Sequence, residues 1–258
     1  MKLLSFAFQP AGDYIELVGI SDLHYGSSNF LPKKAEKHRA YCLGSPDRRV
    51  IDMGDSTENA LRSSPGSSVF RQTCPPSEQR EWVREYYRPM KDSTLAVVCG
   101  NHGDRSEKDA DFIPDETLAS FIDCPLIRWE GVLVVTVGDS RHGQQYTIYT
   151  RHAISQSSKP AQIMNAMFNK SRFVQGLDAY VFGHNHMFLT TSLPCQMVDP
   201  RHRKIKVREQ VFVMGDSFMS YDESYADQYG YPLPTEGQWS LKLYRDVHRV
   251  EVNRLVYS

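Results

Sequence analysis

Seven side chains of metal-binding type stand just after short apolar runs in this sequence. They are Asp22, His24, Asp55, Asn101, His152, His184 and His186. A mixture of imidazole, carboxylate and amide groups suits manganese, iron, zinc or nickel, whereas calcium and magnesium prefer sites built from oxygen alone. The set offers more donors than one tetrahedral ion needs, and two ions about 3.5 to 4 Å apart, bridged by one carboxylate, would use them all. The residue types therefore predict two divalent metal ions, with manganese as the first expectation.

Five apolar runs that end at Gly, Asp, Asn or His must position these side chains. Each is short enough for a buried strand that leads into a polar loop. The runs are Tyr14–His24, Arg48–Ser56, Thr94–His102, Gln145–His152 and Ala179–His186. The segments between them predict helices at Pro32–Leu43, Ser77–Tyr87 with Ser77 as the N-cap, Asp115–Ile122 and Ala161–Phe173. Because ligands gather beyond the carboxyl ends of strands in open α/β sheets, we expect the polar residues after these runs to converge in space.

From Met187 onward the pattern is β-rich, with no convincing helix. Strands that alternate with helices, followed by further strands, predict the α/β class. We expect a two-sheet β-sandwich flanked by α-helices, formed by one domain over residues 1–258. Residues 22–186 carry the candidate ligands, and residues 187–258 are expected to complete the second sheet.

The order of five motifs resembles that of the calcineurin-like metallophosphoesterase family, whose pattern is D-x-H, GD-x-x-(D/E/N), GNH-(D/E), a later H, and GH-x-H. Here the motifs read "DLH", "GDSTE", "GNHGD", "RH" and "GHNH". The resemblance implies a four-layer αββα fold and in-line attack on phosphorus by a metal-activated water. It also implies one metal held by Asp22, His24 and His186, a second held by Asn101, His152 and His184, and Asp55 as the bridge.

The resemblance gives His102 a catalytic role, either stabilising the transition state or protonating the leaving oxygen. The family usually places an acid directly after this histidine, whereas this chain has Gly103 and then Asp104. We therefore predict Asp104 as the group that orients His102. Arg105 is predicted to bind a substrate phosphate, and an exposed loop arginine without that role is the alternative.

Three further segments have competing interpretations. His142 is an alternative to His152, but it stands in a Gly-flanked turn rather than at a strand end, and His152 is preferred. Glu58 fits the third position of "GDSTE" and is expected to support a ligand rather than to be one. The "GDS" at Gly215–Ser217 is expected to be a loop that lines the site.

The substrate class is inferred from residues beyond the last motif. The basic run Arg201–Arg208 would follow a nucleic-acid backbone, or would form a hairpin with its charged side in water. The loop Tyr225–Gly237 is similar to a segment of phage and prophage members of the family, and it would stack a base or pack on the core. We therefore expect a phosphodiesterase acting on nucleotides or nucleic acids. The alternatives are a phosphomonoesterase acting on nucleotides or phosphoproteins, and a non-catalytic scaffold.

Composition favours a soluble, cytoplasmic protein. The 30 Lys and Arg residues nearly cancel the 31 Asp and Glu residues, so overall charge predicts neither nucleic-acid nor membrane binding. An odd number of cysteines, five, without a CxxC motif argues against a disulfide framework and against a thiolate zinc site. No run approaches about 18 consecutive apolar residues, so no membrane partner is expected. The oligomeric state and the role of the insertion Arg62–Arg88, as a lid, a partner surface or a helix on the sheet, stay open.

Overall fold

The computed structural model describes residues 1–62, 64, 68–139, 143–222, 224–228 and 230–257. Within this part of the chain the strands are β1 Lys2–Phe8, β2 Tyr14–Ile20, β3 Arg48–Asp52, β4 Thr94–Val98, β5 Leu126–Ile127, β6 Gly131–Val137, β7 Gln144–Arg151, β8 Ala179–Phe182, β9 Leu189–Asp199, β10 Lys204–Met214, β11 Gln238–Tyr244 and β12 Val250–Leu255. The helices are α1 Pro32–Leu43, α2 Ser68–Arg71, α3 Pro76–Tyr87, α4 Asn101–Ala110, α5 Pro114–Ile122, α6 Pro160–Phe173 and α7 Tyr225–Gln228, with a 3₁₀ helix at Arg88–Ser93.

Two mixed six-stranded sheets form the centre of the molecule. One has the strand order β1-β6-β7-β8-β10-β9, and the other has the order β12-β11-β2-β3-β4-β5. In the second sheet β2, β3, β4 and β5 run parallel, while β11 is antiparallel to β2. The predicted fold class, a two-sheet β-sandwich flanked by helices, is confirmed.

Apolar side chains fill three layers of contact. Between the sheets, Leu17 and Trp239 from one sheet share a core cluster with Leu133 and Val213 from the other. A second cluster packs α1, α3 and α5 on the outer face of one sheet, and a third packs α6 on the outer face of the other. Both faces of the central strands are therefore covered, which explains why β2, β4 and β8 read as continuous apolar runs. The edge strands β1 and β9 keep exposed positions.

Four predicted helices are present, and all four begin at a proline. The first helical residues are Pro32, Pro76, Pro114 and Pro160. The expectation that Ser77 caps α3 is wrong, because Pro75 occupies the N-cap position and no side chain caps the helix. Proline suits the first helical turn, since its fixed φ matches the helix and its missing N–H has no partner there in any case.

The β-rich region after Met187 contributes to both sheets. β9 and β10 form a long antiparallel hairpin at the edge of the first sheet. β11 and β12 add to the second sheet beside β2. All five cysteines are free thiols, and none of the helices in the described ranges is long and apolar enough to cross a membrane.

Candidate functional site

The loops after five strands carry the predicted metal ligands. Parallel strands β2, β3 and β4 are neighbours in one sheet, and parallel strands β7 and β8 are neighbours in the other. Hydrogen bonds join the loops across the two sheets, as where the backbone N–H of His184 donates to Asp22 Oδ2 at 2.9 Å. The structure therefore brings together residues that lie far apart in the sequence.

Five of the seven candidate ligands have a left-handed backbone, which is uncommon for any residue other than glycine. The φ angles are 54° at Asp22, 49° at His24, 55° at Asp55, 77° at His184 and 53° at His186. Such a conformation costs free energy, persists only where the surrounding structure holds it, and clusters at functional sites. The resulting sharp turns let one short loop present two donors to the site.

Asp22, His24 and His186 form one cluster, with ligand atoms within 4.8 Å of one another. His186 Nε2 lies 3.1 Å from His24 Nε2 and 3.4 Å from Asp22 Oδ1. The Nδ1 atom of His24 donates to Glu58 Oε2 at 3.1 Å, so Nε2 of the neutral ring carries a lone pair. Asp22 Oδ1 is buried without a hydrogen-bond partner. Three electron-pair donors thus face the same small space.

Asp55, His152 and His184 form a second cluster of the same kind. His152 Nε2 lies 3.0 Å from Asp55 Oδ2 and 3.0 Å from Asn101 Oδ1. His152 Nδ1 donates to the carbonyl of Met53 at 2.7 Å, so Nε2 of the neutral ring also faces these oxygens with a lone pair. Six of the seven predicted ligands therefore belong to the two clusters, and the seventh, Asn101, lies beside the second cluster. The bridging role of Asp55 stays a prediction.

The donor sets fit bound cations. Lone pairs this close together repel unless a proton or a cation lies between them, and buried carboxylates need compensating charge. Burial alone would lower the pKa of His152, but the carboxylates of Asp55 and Asp22 outweigh it and raise the pKa to about 10. The site therefore attracts positive charge, and its mixed nitrogen and oxygen donors suit first-row transition ions.

His102 lies beside the second cluster, in the first turn of α4. Its backbone N–H donates to Asp55 Oδ1 at 2.8 Å, and its Nδ1 donates to the carbonyl of Glu58 at 2.6 Å. Its Nε2 lies 4.0 Å from Asp55 Oδ2. Burial lowers the pKa of His102 to about 4, so the ring of the free protein is neutral, with a lone pair at Nε2.

Asp104 does not take the position predicted for it. In the described part of the chain it makes no hydrogen bond with His102, and its Oδ1 is buried without a partner; the carbonyl of Glu58 holds Nδ1 instead. Both residues lie on α4, where side chains two positions apart do not face each other. The position after His102 also requires glycine for a steric reason, because a Cβ on Gly103 would lie 2.0 Å from Asp115 Oδ2.

A cavity of about 520 Å³ opens beside both clusters. His24, Asp55 and His102 line it together with Arg105, whose Nη1 lies 3.4 Å from His102 Nδ1. Because that nitrogen already donates its hydrogen to a carbonyl, the arginine contact is not a hydrogen bond. Ser217 also lines the cavity, in the loop predicted to do so.

Two further predictions concern His142 and the basic run 201–208. His142 lies outside the described residues. His202 in the hairpin turn and Lys206 in β10 both contact Asp199, and Arg208 in β10 contacts Asp178. Part of the charge of the basic run is therefore neutralised within the protein. Among the described residues that line the cavity, none comes from 201–208.

Sequence reasoning missed two buried amides behind the site, Asn59 and Gln79. Asn59 directly follows "GDSTE", and this position next to a motif was the one sequence feature that could have indicated a role at the site. Gln79 lies within a polar stretch of α3, where the sequence gives no sign that its side chain is buried.

No model of a known protein family matches the sequence, and no curated protein matches it. Among solved structures, the chain is similar to the calcineurin-like phosphoesterase YfkN from Bacillus subtilis, with a TM-score of 0.47 and 11% identity over 94% of this chain and 90% of that one. It is also similar to Vps29 from Entamoeba histolytica in complex with zinc, with a TM-score of 0.40 and 13% identity over 93% of this chain and 98% of that one. It is similar as well to a metallophosphoesterase from Sphaerobacter thermophilus, with a TM-score of 0.38 and 13% identity over 95% of this chain and 90% of that one.

Proposed function

We propose that this protein is a phosphodiesterase that uses two divalent metal ions and acts on nucleotides or nucleic acids. The observation that carries the proposal is the meeting of two donor clusters and His102 at one cavity. Two adjacent cations with a proton-transfer group beside them are suited to the hydrolysis of phosphoesters. The motif order from "DLH" to "GHNH" supports the same reaction class.

The proposed first ion would be held by Asp22, His24 and His186, and the second by Asn101, His152 and His184, with Asp55 between them. Bound there, the two ions would supply Lewis-acid stabilisation of the phosphoryl oxygens and would lower the pKa of the attacking water. Glu58 fixes the orientation of His24, and the carbonyl of Met53 fixes that of His152. Partners of this kind orient a metal-binding imidazole and increase its basicity.

His102 would move a proton at Nε2. Its Nδ1 hydrogen is held by the carbonyl of Glu58, so Nε2 is the nitrogen left for the reaction. A phosphate anion beside Nε2 favours the protonated ring, which would donate that proton to the leaving oxygen. Arg105, next to this ring, would bind a phosphate oxygen with its guanidinium.

The cavity supports a substrate of nucleotide size. Its volume of about 520 Å³ lies in the range of small-molecule sites. Arg71 and Arg105 supply positive charge, while Tyr221, Tyr231 and Pro232 supply flat surfaces on which a base would stack. Much of the remaining lining is Ser, Asn and Gln, which suits hydrogen bonds to a base edge or a sugar.

The test compares hydrolysis of bis-p-nitrophenyl phosphate with that of p-nitrophenyl phosphate. The protein is stripped of metal and reloaded with manganese, nickel, zinc or magnesium. We expect manganese-dependent cleavage of the diester, reduced about 100-fold or more in His102→Ala while metal content is retained. A preference for the monoester would favour a phosphomonoesterase, since the same metal centre serves both reactions and the surrounding loops determine which substrate binds. Two bound ions without turnover of either compound would favour the non-catalytic scaffold.

A further inference from the structure

The side-chain amide of Gln79, on α3, is buried behind the loops that carry the candidate ligands, with 0% of the residue exposed. Its Oε1 accepts from the backbone N–H of Asn59 at 2.8 Å. Its Nε2 donates to Gln72 Oε1 at 2.9 Å and to the carbonyl of Cys74 at 2.8 Å. Gly26 permits this close packing, because a Cβ there would lie 2.4 Å from the amide. The carbonyl and both hydrogens of the amide are therefore in use.

Asn59 extends the network to α4. Its Nδ2 donates to the carbonyl of His102 and to Ser106 Oγ, both at 2.7 Å. Asn59 is 1% exposed and has a φ of 45°, so its side chain and its left-handed backbone are both enclosed. The network thus reaches the first two turns of α4 through the carbonyl of His102 and the hydroxyl of Ser106.

One peptide group connects Gln79 with His102. The N–H of the peptide between Glu58 and Asn59 donates to Gln79 Oε1 at 2.8 Å, and its C=O accepts from His102 Nδ1 at 2.6 Å. A peptide is planar, so binding one end fixes the direction of the other. Hydrogen bonds in a chain also polarise one another, and an engaged N–H makes its carbonyl a stronger acceptor.

We propose that Gln79 is a positioning residue for His102, acting through the Glu58–Asn59 peptide group. By holding that peptide, Gln79 fixes which nitrogen of His102 carries the hydrogen and keeps Nε2 directed to the reacting phosphate. The inference rests on the proposed role of His102 in proton transfer. It also gives the insertion between β3 and β4 a function at the site, through a side chain that never touches substrate.

Gln79→Met tests the role because methionine keeps the length of the side chain and removes its hydrogen bonds. A misplaced proton donor lowers the rate of hydrolysis most for substrates with poor leaving groups, because the departure of such groups depends most on protonation. With manganese bound, we expect kcat to fall about 10-fold for a p-nitrophenyl diester and about 100-fold for a phenyl diester. Metal content should stay at the wild-type value, because no candidate ligand contacts Gln79. KM should change less than kcat, since Gln79 meets the cavity lining at Gln72.

Two further variants sharpen the comparison. Asn59→Gly removes the side chain that reaches His102, and glycine adopts the left-handed backbone freely, so the loop is expected to keep its course. The matched control is Gln175→Met, at an exposed glutamine after α6, and it should behave as wild type. An equal loss for both leaving groups, a change in KM alone, or wild-type rates in Gln79→Met would overturn the positioning role.

A spectroscopic measurement separates this inference from the proposed function. In a ¹H–¹⁵N spectrum of the imidazole groups, the Nδ1 hydrogen of His102 should give a protected downfield signal in wild type, and the signal should be lost in Gln79→Met. Retention of the signal in the variant would contradict the positioning role alone. Absence of phosphoester turnover by wild type would contradict the proposed function, whatever this spectrum shows.

Discussion

Asp55 uses its two carboxylate oxygens for different contacts. Oδ1 accepts from the backbone N–H of His102 at the N-terminus of α4, where the helix dipole favours a negative charge. Oδ2 lies 3.0 Å from His152 Nε2. Burial acts to raise the pKa of Asp55, but the histidines around it hold the pKa well below its usual range. The residue is therefore an anion held at both oxygens.

Asp55→Asn removes this charge and keeps the shape of the side chain. The amide oxygen can still accept from His102, so the start of α4 should be preserved. We expect hydrolysis to fall by about 100-fold or more and metal affinity to weaken, because a neutral amide is a poorer ligand and leaves His152 without its partner. Metal content after dialysis and the rate of diester hydrolysis measure the two effects.

Asp246→Asn is the matched control, since Asp246 lies exposed in the turn between β11 and β12 and contacts its neighbour Arg245. It should keep wild-type metal content and rate. Full activity in Asp55→Asn would contradict a site in which both ions depend on this carboxylate.

At the scale of elements, the site depends on how closely β3 and β4 bring their loops together. Gly100 joins β4 to α4 and lies against Asp55, and a Cβ at Gly100 would be 2.0 Å from Asp55 Oδ1 and 2.3 Å from its backbone nitrogen. Two loops in such contact cannot separate without moving a candidate ligand. The glycine in the "GNH" motif thus has a packing reason as well as a place in the motif.

Gly100→Ala should destabilise the fold and displace Asp55. Overpacking of a buried position typically costs about 1–3 kcal/mol, and relief requires movement of the loop after β3 or of the first turn of α4. Thermal unfolding and metal content measure the change. Gly12→Ala is the control, because a Cβ at Gly12 meets only Asp47 Oδ2, at 3.8 Å; equal melting temperatures for the two variants would contradict the steric argument.

The sequence predicted the elements whose physical signal is local. The runs ending at Ile20 and Phe182 are dense in apolar residues and lead into polar loops, so strands and converging donors could be inferred from them. Helix α4 was missed because Asn101–Ala110 has no apolar stripe, and its start is fixed by contacts of Asp55 instead. The left-handed backbone of five candidate ligands and the burial of Gln79 depend on distant parts of the chain, which no local pattern records.

At the scale of the whole molecule, hydrogen bonds of His38 connect α1 with β2 and with the residues after β12. It lies on α1, its Nε2 donates to the carbonyl of Gly19 in β2 at 3.0 Å, and its Nδ1 accepts from Tyr257 Oη at 2.8 Å. This arrangement uses the neutral ring. Burial lowers the pKa of His38 to about 3.

Stability should therefore fall with acidification over the range set by His38. Its unfolded pKa is about 6.5, so between about pH 6.5 and about pH 3 the unfolded chain binds a proton that the folded chain does not. The contribution is full above this window and is lost as pH falls through it, up to about 1.4 kcal/mol per pH unit. Denaturant unfolding at about pH 7 and about pH 5 should show that the free energy of unfolding falls less for His38→Gln than for wild type. Parallel losses would show that His38 does not set the acid sensitivity.

The strand order also governs when the molecule can finish folding. β2, which leads into the first candidate ligands, pairs with β3 on one side and with β11, from the far end of the sequence, on the other. Pairings between distant segments close large loops and form slowly. During synthesis, the open edge of β2 must wait until residues 238–244 emerge, and an unpaired apolar edge is prone to association with other chains. The loop with the first candidate ligands is thus synthesised early, but its strand completes its pairing late. Chaperone dependence and yield at expression should therefore be sensitive to changes in β11, far from any residue of the candidate site.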